Sequence, residues 1–463
     1  MIRVIALLIL WLTALSGAVD AAPSPPPEDL HGPPTRRALV LETIEIHGLE
    51  GTSKSSVLNA LSLSTGTEVD QSMLVDAIAS LESEQLVAGI EYFTRPGSER
   101  GQIVLVLELD DKKPRTNSMT MSMGAGNSDS DGWYWIPIHL DLDNVLHKNA
   151  GLHARIALGY RFSEFSTSYR RKFGPQNHSW WGLTAATRST ERYYVLEGLE
   201  VSHGVGRDYA GFDFGHHLTQ RWTLTTQLRN EIVKPKDHAK YPGESDFHGI
   251  EQNQNIPLED LPQSIQDAVG QSERIVFDGL LSYDSLSQHE IAFSPTGGLW
   301  AGLRYRSTID GGTSTPFVSL DLKTHVPLLG GVMSWRARGA YTGDDAPFYD
   351  RLYLGGLYTV RGVPSHGLTD PGGGTWLWNS SLEFRAPLSG DPEDPGLAGS
   401  LFVDVGQSDA AINPHGHDLA ASLGWGLRWR LFGIVMGPDM AVPITGSPVD
   451  ELFHGNFTIG WSF

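Results

Sequence analysis

The chain has 463 residues, 40% of them hydrophobic, with no cysteine and a formal charge of −20. A pI near 5.2 argues against nucleic acid as a partner, because phosphate binding needs a basic surface. The lack of cysteine excludes disulfides, thiol catalysis and cysteine-based zinc sites.

Arg3 precedes an apolar run, Val4 to Leu15, and then small residues from Ser16 to Ala22. This predicts a cleaved secretory signal over residues 1–22, cut after Ala18, Ala21 or Ala22, and hence an exported protein. The run is too short for a membrane helix, and no other stretch reaches the roughly 18 apolar residues one needs. Residues 23–38 open with the proline-rich Pro23 to Pro34 and read as a semi-extended linker.

Residues 39–113 change character. Val40, Ile44 and Ile46 predict a strand ending at Gly48, and Ser53 predicts the cap of a helix running through Leu61. Gly66 breaks that helix. Asp70 caps a second, Gln71 to Leu86, with Leu74, Ile78 and Leu81 on one face. Strands follow at Ile90–Thr94 and Gln102–Leu109. The order βααββ is that of a small α+β domain.

From Arg115 to Phe463, short runs of alternating polarity recur between Gly, Asn, Asp and Pro turns, with at most a short helix in one loop. Tyr134, Ile136, Ile138, Leu140 and Leu142 alternate with Trp135, His139 and Asp141. Phe453, Phe457, Ile459, Trp461 and Phe463 alternate with polar residues at the chain end. Soluble sandwiches and membrane barrels both give this pattern. Charged residues on the polar faces, aromatic residues near strand ends (Trp133, Trp180, Trp181, Tyr193, Tyr194) and the export signal favour a transmembrane all-β barrel over 115–463. About sixteen antiparallel strands fit. The long connections 233–271 and 342–374 then follow the seventh and eleventh strands, on the outer side. The turn from Ser389 to Gly396 falls on the opposite side and is long for that position.

The stretch Phe348 to Leu388 carries the most information. Trp376, Trp378, Leu382, Phe384, Ala386 and Leu388 share one strand face, and Asn379, Ser381, Glu383 and Arg385 the other. Before it lies the loop Tyr358 to Gly367, centred on Val360, Arg361 and Gly362. Asp404 alternates with Val403 and Val405, so it shares the polar side with Glu383. The 17 histidines, including His216-His217 and His415/His417, lack zinc-site spacing, and Asn127 to Gly132 lacks the bidentate glutamate of a calcium loop. No nucleophile elbow or phosphate loop is present. The expectation is no catalytic residue, no metal, no cofactor and no enzyme activity.

These residues together resemble the BamA/TamA/two-partner-secretion superfamily of outer-membrane assembly factors, also called bacterial surface antigens. Residues 39–113, with Gly66, Val69 and Asp70, resemble a single POTRA domain. Val360-Arg361-Gly362, with Gly355-Gly356 before it and Gly372 to Gly374 after it, resembles the signature of the sixth external loop, which folds back into the lumen. Ser381 to Leu388 and Leu401 to Gly406 resemble the strands that follow. Tyr283-Asp284 through Pro295 to Gly298 resembles a turn on the periplasmic side. Phe463, with Trp461, resembles the family's C-terminal sorting signal. Two features depart from the pattern: Val363 stands where an aromatic residue is usual, and secretion pores of the family carry two POTRA domains and a plug helix.

The resemblance implies a bacterial outer-membrane barrel with its POTRA domain in the periplasm. Its partners would be unfolded outer-membrane or secreted protein clients, outer-membrane lipids, and periplasmic chaperones or lipoproteins. Arg361, paired with Glu383 and Asp404, would pin the loop in the lumen; the other reading is a solvent-exposed arginine of little energetic weight. Three functions compete: client capture and insertion through a seam between the first and last strands, a gated secretion pore or passive channel, and a surface adhesin using loop 233–271.

Overall fold

A computed structural model describes residues 39–49, 54–83, 87–99, 101–111, 119–127, 133–147, 149–174, 177–241, 254–410, 419–445 and 454–462. The signal, the linker, the Ser53 cap, His415, His417 and Phe463 lie outside the described residues. The chain divides into two units, at 112/113.

The first unit contains β1 (Leu39–His47), α1 (Lys54–Leu61), β2 (Glu68–Val69), α2 (Gln71–Ser83), β3 (Val87–Pro96) and β4 (Gln102–Asp111). Its sheet order is β2-β1-β4-β3, with β1 and β4 parallel and β3 antiparallel to β4. Alternation sends Leu105, Leu107 and Leu109 of β4 to one face, where they pack with Leu41, Val57, Leu61, Leu74, Ile78 and Leu81. The Asp70 carboxylate accepts the Met73 N–H at 2.9 Å and caps α2. Val69 is not simply part of a turn: Leu39 pairs with Val69, and Val69 is buried in the core. β3 is an edge strand with Tyr92 and Phe93 exposed.

The second unit is an antiparallel barrel of sixteen strands. Its first seven are β5 (Met119–Asn127), β6 (Trp133–Asp143), β7 (Ala150–Tyr160), β8 (Phe162–Phe173), β9 (Ser179–Leu196), β10 (Leu199–His217) and β11 (Trp222–Pro235). A long connection follows, with the hairpin β12 (His238–Lys240) and β13 (Asn255–Pro257), a 3-10 turn at Leu258–Asp260 and a short α-helix, α3 (Gln263–Gln266). β14 (Ser272–Asp284) leads to a small hairpin, β15 (Glu290–Ile291) and β16 (Ser294–Pro295). Then come β17 (Gly298–Asp310), β18 (Thr313–Leu328) and β19 (Gly331–Thr342). A second long connection precedes β20 (Trp376–Gly390), β21 (Pro395–Ser408), β22 (Ala420–Leu431), β23 (Ile434–Pro443) and β24 (His454–Ile459). The two long connections follow the seventh and eleventh barrel strands. Since long connections face outward in such barrels, the short turns mark the periplasmic side.

Leu228, Ile275, Leu303, Leu382, Leu401, Leu423 and Phe457 are exposed on the outer wall. The alternate positions Asp278, Arg336, Asn379, Glu383, Asp404 and Asp439 are buried inside. An apolar outer belt around a charged interior is the reverse of a soluble core. Two expectations are corrected. The pairing register of β6 shifts between Trp135 and Ile138, where Pro137 has no N–H to give the ladder. The shift changes the face, so Trp133 and Trp135 are exposed while Tyr134 lies under the Arg155 guanidinium, 5.2 Å from its ring centroid. Tyr193 and Tyr194 do not join an interfacial girdle: both are buried, Tyr194 in an apolar cluster shared with the two long connections.

The barrel closes where β24 meets β5. There the Asn127 side chain stands in for a backbone: its Nδ2 donates to the Ile459 carbonyl at 2.9 Å, and its Oδ1 accepts the Ile459 N–H at 3.1 Å. In lipid each unmet backbone group costs several kcal/mol, so this one amide is an economical fastening. Replacing Asn127 with leucine is expected to loosen the closure and raise hydrogen exchange at Ile459; unchanged exchange there would remove Asn127 from that role.

Candidate functional site: the lumenal arginine anchor

The loop between β19 and β20 folds inward because its apolar residues have somewhere to pack. Leu354, Val360, Val363 and Leu368 form a buried cluster with Ala420. Val363 thus fills its position with aliphatic packing. Gly355, Gly356 and Gly362 have φ of 110°, 92° and 91°. These values are open to glycine and strained for other residues. The Gly356 N–H donates to the Val360 carbonyl at 3.0 Å, closing the turn that presents Arg361.

Arg361 is 2% exposed. Its Nε donates to Asp404 Oδ2 at 2.7 Å and its Nη2 to Asp404 Oδ1 at 2.9 Å, a two-pronged pairing. Nη1 donates to Glu383 Oε2 at 2.8 Å and to Asp439 Oδ2 at 3.5 Å, and Nη2 also donates to Ser381 Oγ at 3.1 Å. All five guanidinium N–H groups can thus be used. The Arg361 backbone N–H adds a bond to Asp404 at 3.1 Å, and the Phe402 ring lies 3.3 Å from the guanidinium carbon.

The carboxylates are held in turn. Arg385 Nε donates to Glu383 Oε1 at 2.9 Å, and Arg428 Nη2 donates to Asp439 at 2.9 Å. Three guanidiniums and three carboxylates therefore balance in one buried lattice. Such a lattice holds its shape because removing any member leaves an uncompensated charge. Among the described residues, no group of three or more His, Asp or Glu is arranged to hold a metal ion.

The structure brings the predicted Val360, Arg361, Gly362, Glu383 and Asp404 to one place. Ser381 and Arg385, which the strand period places on the face of Glu383, join them, and the structure adds Asp439, Phe402 and Arg428. Asp439 had a readable signal, as a carboxylate alternating with Pro438 and Met440 in β23, but the Gly-Pro of that strand masks its period. Trp461 is not on the lipid face that the alternation of the last strand predicted. Gly460 has φ of 76°, and Trp461 turns inward against Arg385 and Arg428.

A second anchor was not foreseen. Phe348 and Tyr349, of the second long connection, are buried among Tyr194, Val201, Val205 and Val233 of the wall and Ile256 and Ile265 of the first. Asp350 accepts from Arg207 Nη2 at 3.0 Å and from Arg274. The Tyr349 carbonyl accepts from Arg192 at 2.8 Å and Arg207 at 3.0 Å.

An alanine at Gly362 would carry a strained φ and place its Cβ 3.0 Å from that of Ala441. Gly362→Ala is expected to cost about 1–3 kcal/mol, read as a lower urea midpoint; an unchanged midpoint would show that the turn relaxes freely.

The sequence matches the Omp85 superfamily domain over residues 144–463. BamA from Haemophilus ducreyi lacking POTRA domains 1–3 is similar in structure, with a TM-score of 0.56 and 17% identity over 90% of this chain and 84% of that one. CdiB from Acinetobacter baumannii gives 0.51 and 15% over 91% and 74%, and CdiB from Escherichia coli 0.51 and 13% over 91% and 76%. No curated protein matches the chain. With the family domain covering more than half of its length on a sixteen-stranded barrel, the chain belongs to the Omp85 superfamily and is an outer-membrane protein.

Proposed function

We propose that this Omp85-family insertion or secretion transporter acts by lending β-strand edges to unfolded protein clients. The observation that carries this reading is the state of β5. Met119, Met121 and Met123 are 69%, 68% and 74% exposed, against 48% for Leu382 on a central strand. Thr120 and Ser122, on the other face, are exposed as well. Among the described residues, β5 pairs along its length with β6 and bonds to β24 through Asn127, at its outer end. Its inner half therefore offers N–H and C=O groups that lipid cannot satisfy, which favours pairing with an incoming strand. The β3 edge of the α+β unit, read as a POTRA domain, supplies a first capture surface using the same main-chain chemistry.

The test joins two measurements. A photoreactive residue at Ser122 is expected to cross-link to an unfolded client barrel, while one at Leu228 is not. The protein in liposomes is expected to speed folding of that client. The second reading is a gated secretion pore, favoured by the loop anchored in the lumen. A steady open pore in planar bilayers, with no client cross-link and no effect on client folding, would replace the insertion reading with the channel.

A further inference from the structure

The periplasmic turn after β14 does not hang free. Its tip, Ala292 and Phe293, is buried with Ala398 and packs against Ile291, Val435 and Trp461. The Ala292 N–H donates to the Pro392 carbonyl at 2.9 Å, so two turns meet across the barrel mouth. The end of the last strand is tied into this floor. Trp461 Nε1 donates to the Ala292 carbonyl at 3.1 Å. The Trp461 ring has the Arg385 guanidinium 4.8 Å from its centroid and that of Arg428 at 4.5 Å. Arg428 Nε also donates to the Gly460 carbonyl at 2.7 Å, and Arg385 Nη1 to Ser294 Oγ at 2.9 Å.

Both arginines belong to the lattice that holds the loop. One route runs Arg361, Glu383, Arg385, Trp461. The other runs Arg361, Asp439, Arg428, Trp461. The loop and the chain end therefore share their charge partners. With Asn127 bonded to Ile459, a straight continuation of β24 would place Trp461 opposite Ala125 and Ser462 opposite Gly124. The positive φ of Gly460 and the grip on Trp461 turn that segment away, so among the described residues the inner half of β5 has a ladder with β6 alone.

We propose that Trp461 couples the two: a seated loop holds Trp461 inward and keeps the β5 edge open, and release of Arg361 frees Trp461 so that the last strand zips along β5 and closes it. The element with two arrangements is the segment Gly460–Ser462, bent into the floor or extended along β5. The inference rests on the reading of β5 as the client-pairing strand for its functional meaning, but the coupling itself is a property of this chain alone. Trp461 acts here as a positioning residue.

The chain has no cysteine, so Gly124→Cys with Ser462→Cys gives a clean reporter of the extended form. An added Cβ at Gly124 meets only Ile136 Cδ1, at an ordinary 3.7 Å, and Ser462 Oγ has no hydrogen-bond partner to lose. In the otherwise natural full-length protein in membranes, mild oxidation should give little disulfide. Trp461→Leu and Arg361→Ala should each raise the disulfide fraction at least about fivefold, the low end of a usual coupling. Trp461→Phe keeps the ring and loses the bond to Ala292, so its rise should be smaller. Arg361→Lys is carried alongside Arg361→Ala, and retention of the compact barrel band in unheated gels identifies folded samples. A rise with Trp461→Leu alone, or with neither change, overturns the coupling. Client cross-linking at Ser122 reads the edge function separately, so failure of one is distinguishable from failure of the other.

Discussion

Arg361→Ala is expected to unseat the loop and turn a nearly closed barrel into a conducting one. The substitution leaves Glu383 and Asp404 buried at 0% and 1% exposure without their shared cation. Breaking a buried pair from one side costs about 3–5 kcal/mol, because the charge left behind has no water to turn to. The loop cannot absorb that cost in place, so it should lift and let water reach the carboxylates. Single-channel conductance in planar bilayers reads the result directly. Arg361→Lys should open the barrel nearly as far, since one ammonium cannot reproduce the two-pronged pairing with Asp404 and still reach Glu383 and Ser381. Adding Asp404→Asn to Arg361→Ala should recover part of the lost stability, because it removes one stranded charge. A natural protein that conducts steadily, with a mutant that conducts no more, would show that the anchor does not control the lumen.

The anchor was readable in the sequence where strand period carried the information. Ser381, Glu383 and Arg385 share a face by count of two, and Asp404 sits between two valines, so strand period alone gives Arg361 two carboxylates to meet. The strand count and the outward placement of both long connections follow from turn spacing in the same way. What was not readable depended on breaks in that period. Pro137 shifts the register of β6 and exchanges its faces. Gly460 turns the last strand, so that an apolar-face tryptophan becomes a lumenal one. Tyr193 and Tyr194 read as girdle residues from composition, yet they lie beneath loops whose path no local pattern specifies. Asp350 stands in a segment with no period at all, and its arginines come from strands about 75 and 140 residues earlier.

Asp350→Ala is expected to free the front of the same loop at the outer mouth. Arg207 and Arg274 would keep Glu231 as a carboxylate partner, at 3.5 and 2.7 Å, but with Arg229 also 3.5 Å from that carboxylate, three cations would then share one anion. The cost falls in the same range, about 3–5 kcal/mol. Phe348 and Tyr349 should leave their cluster, giving higher conductance and faster uptake of large antibiotics. Among the described residues Asp350 and Arg361 share no charge partner, so their effects on stability should add. The pH dependence has a definite sign. Burial opposes the charge on the Asp350 carboxyl, but Arg207 and Arg274 overcome it and hold the group well below the usual carboxylate range. A lowered folded value means that the stabilisation is fully present above the unfolded value, near about 4, and is lost only as pH falls through the folded one. Conductance of the natural protein should therefore stay low from neutral pH down to about pH 5, and the Asp350 contact should fail only in stronger acid. Opening already near pH 6 would mean that a histidine, rather than Asp350, governs the outer mouth.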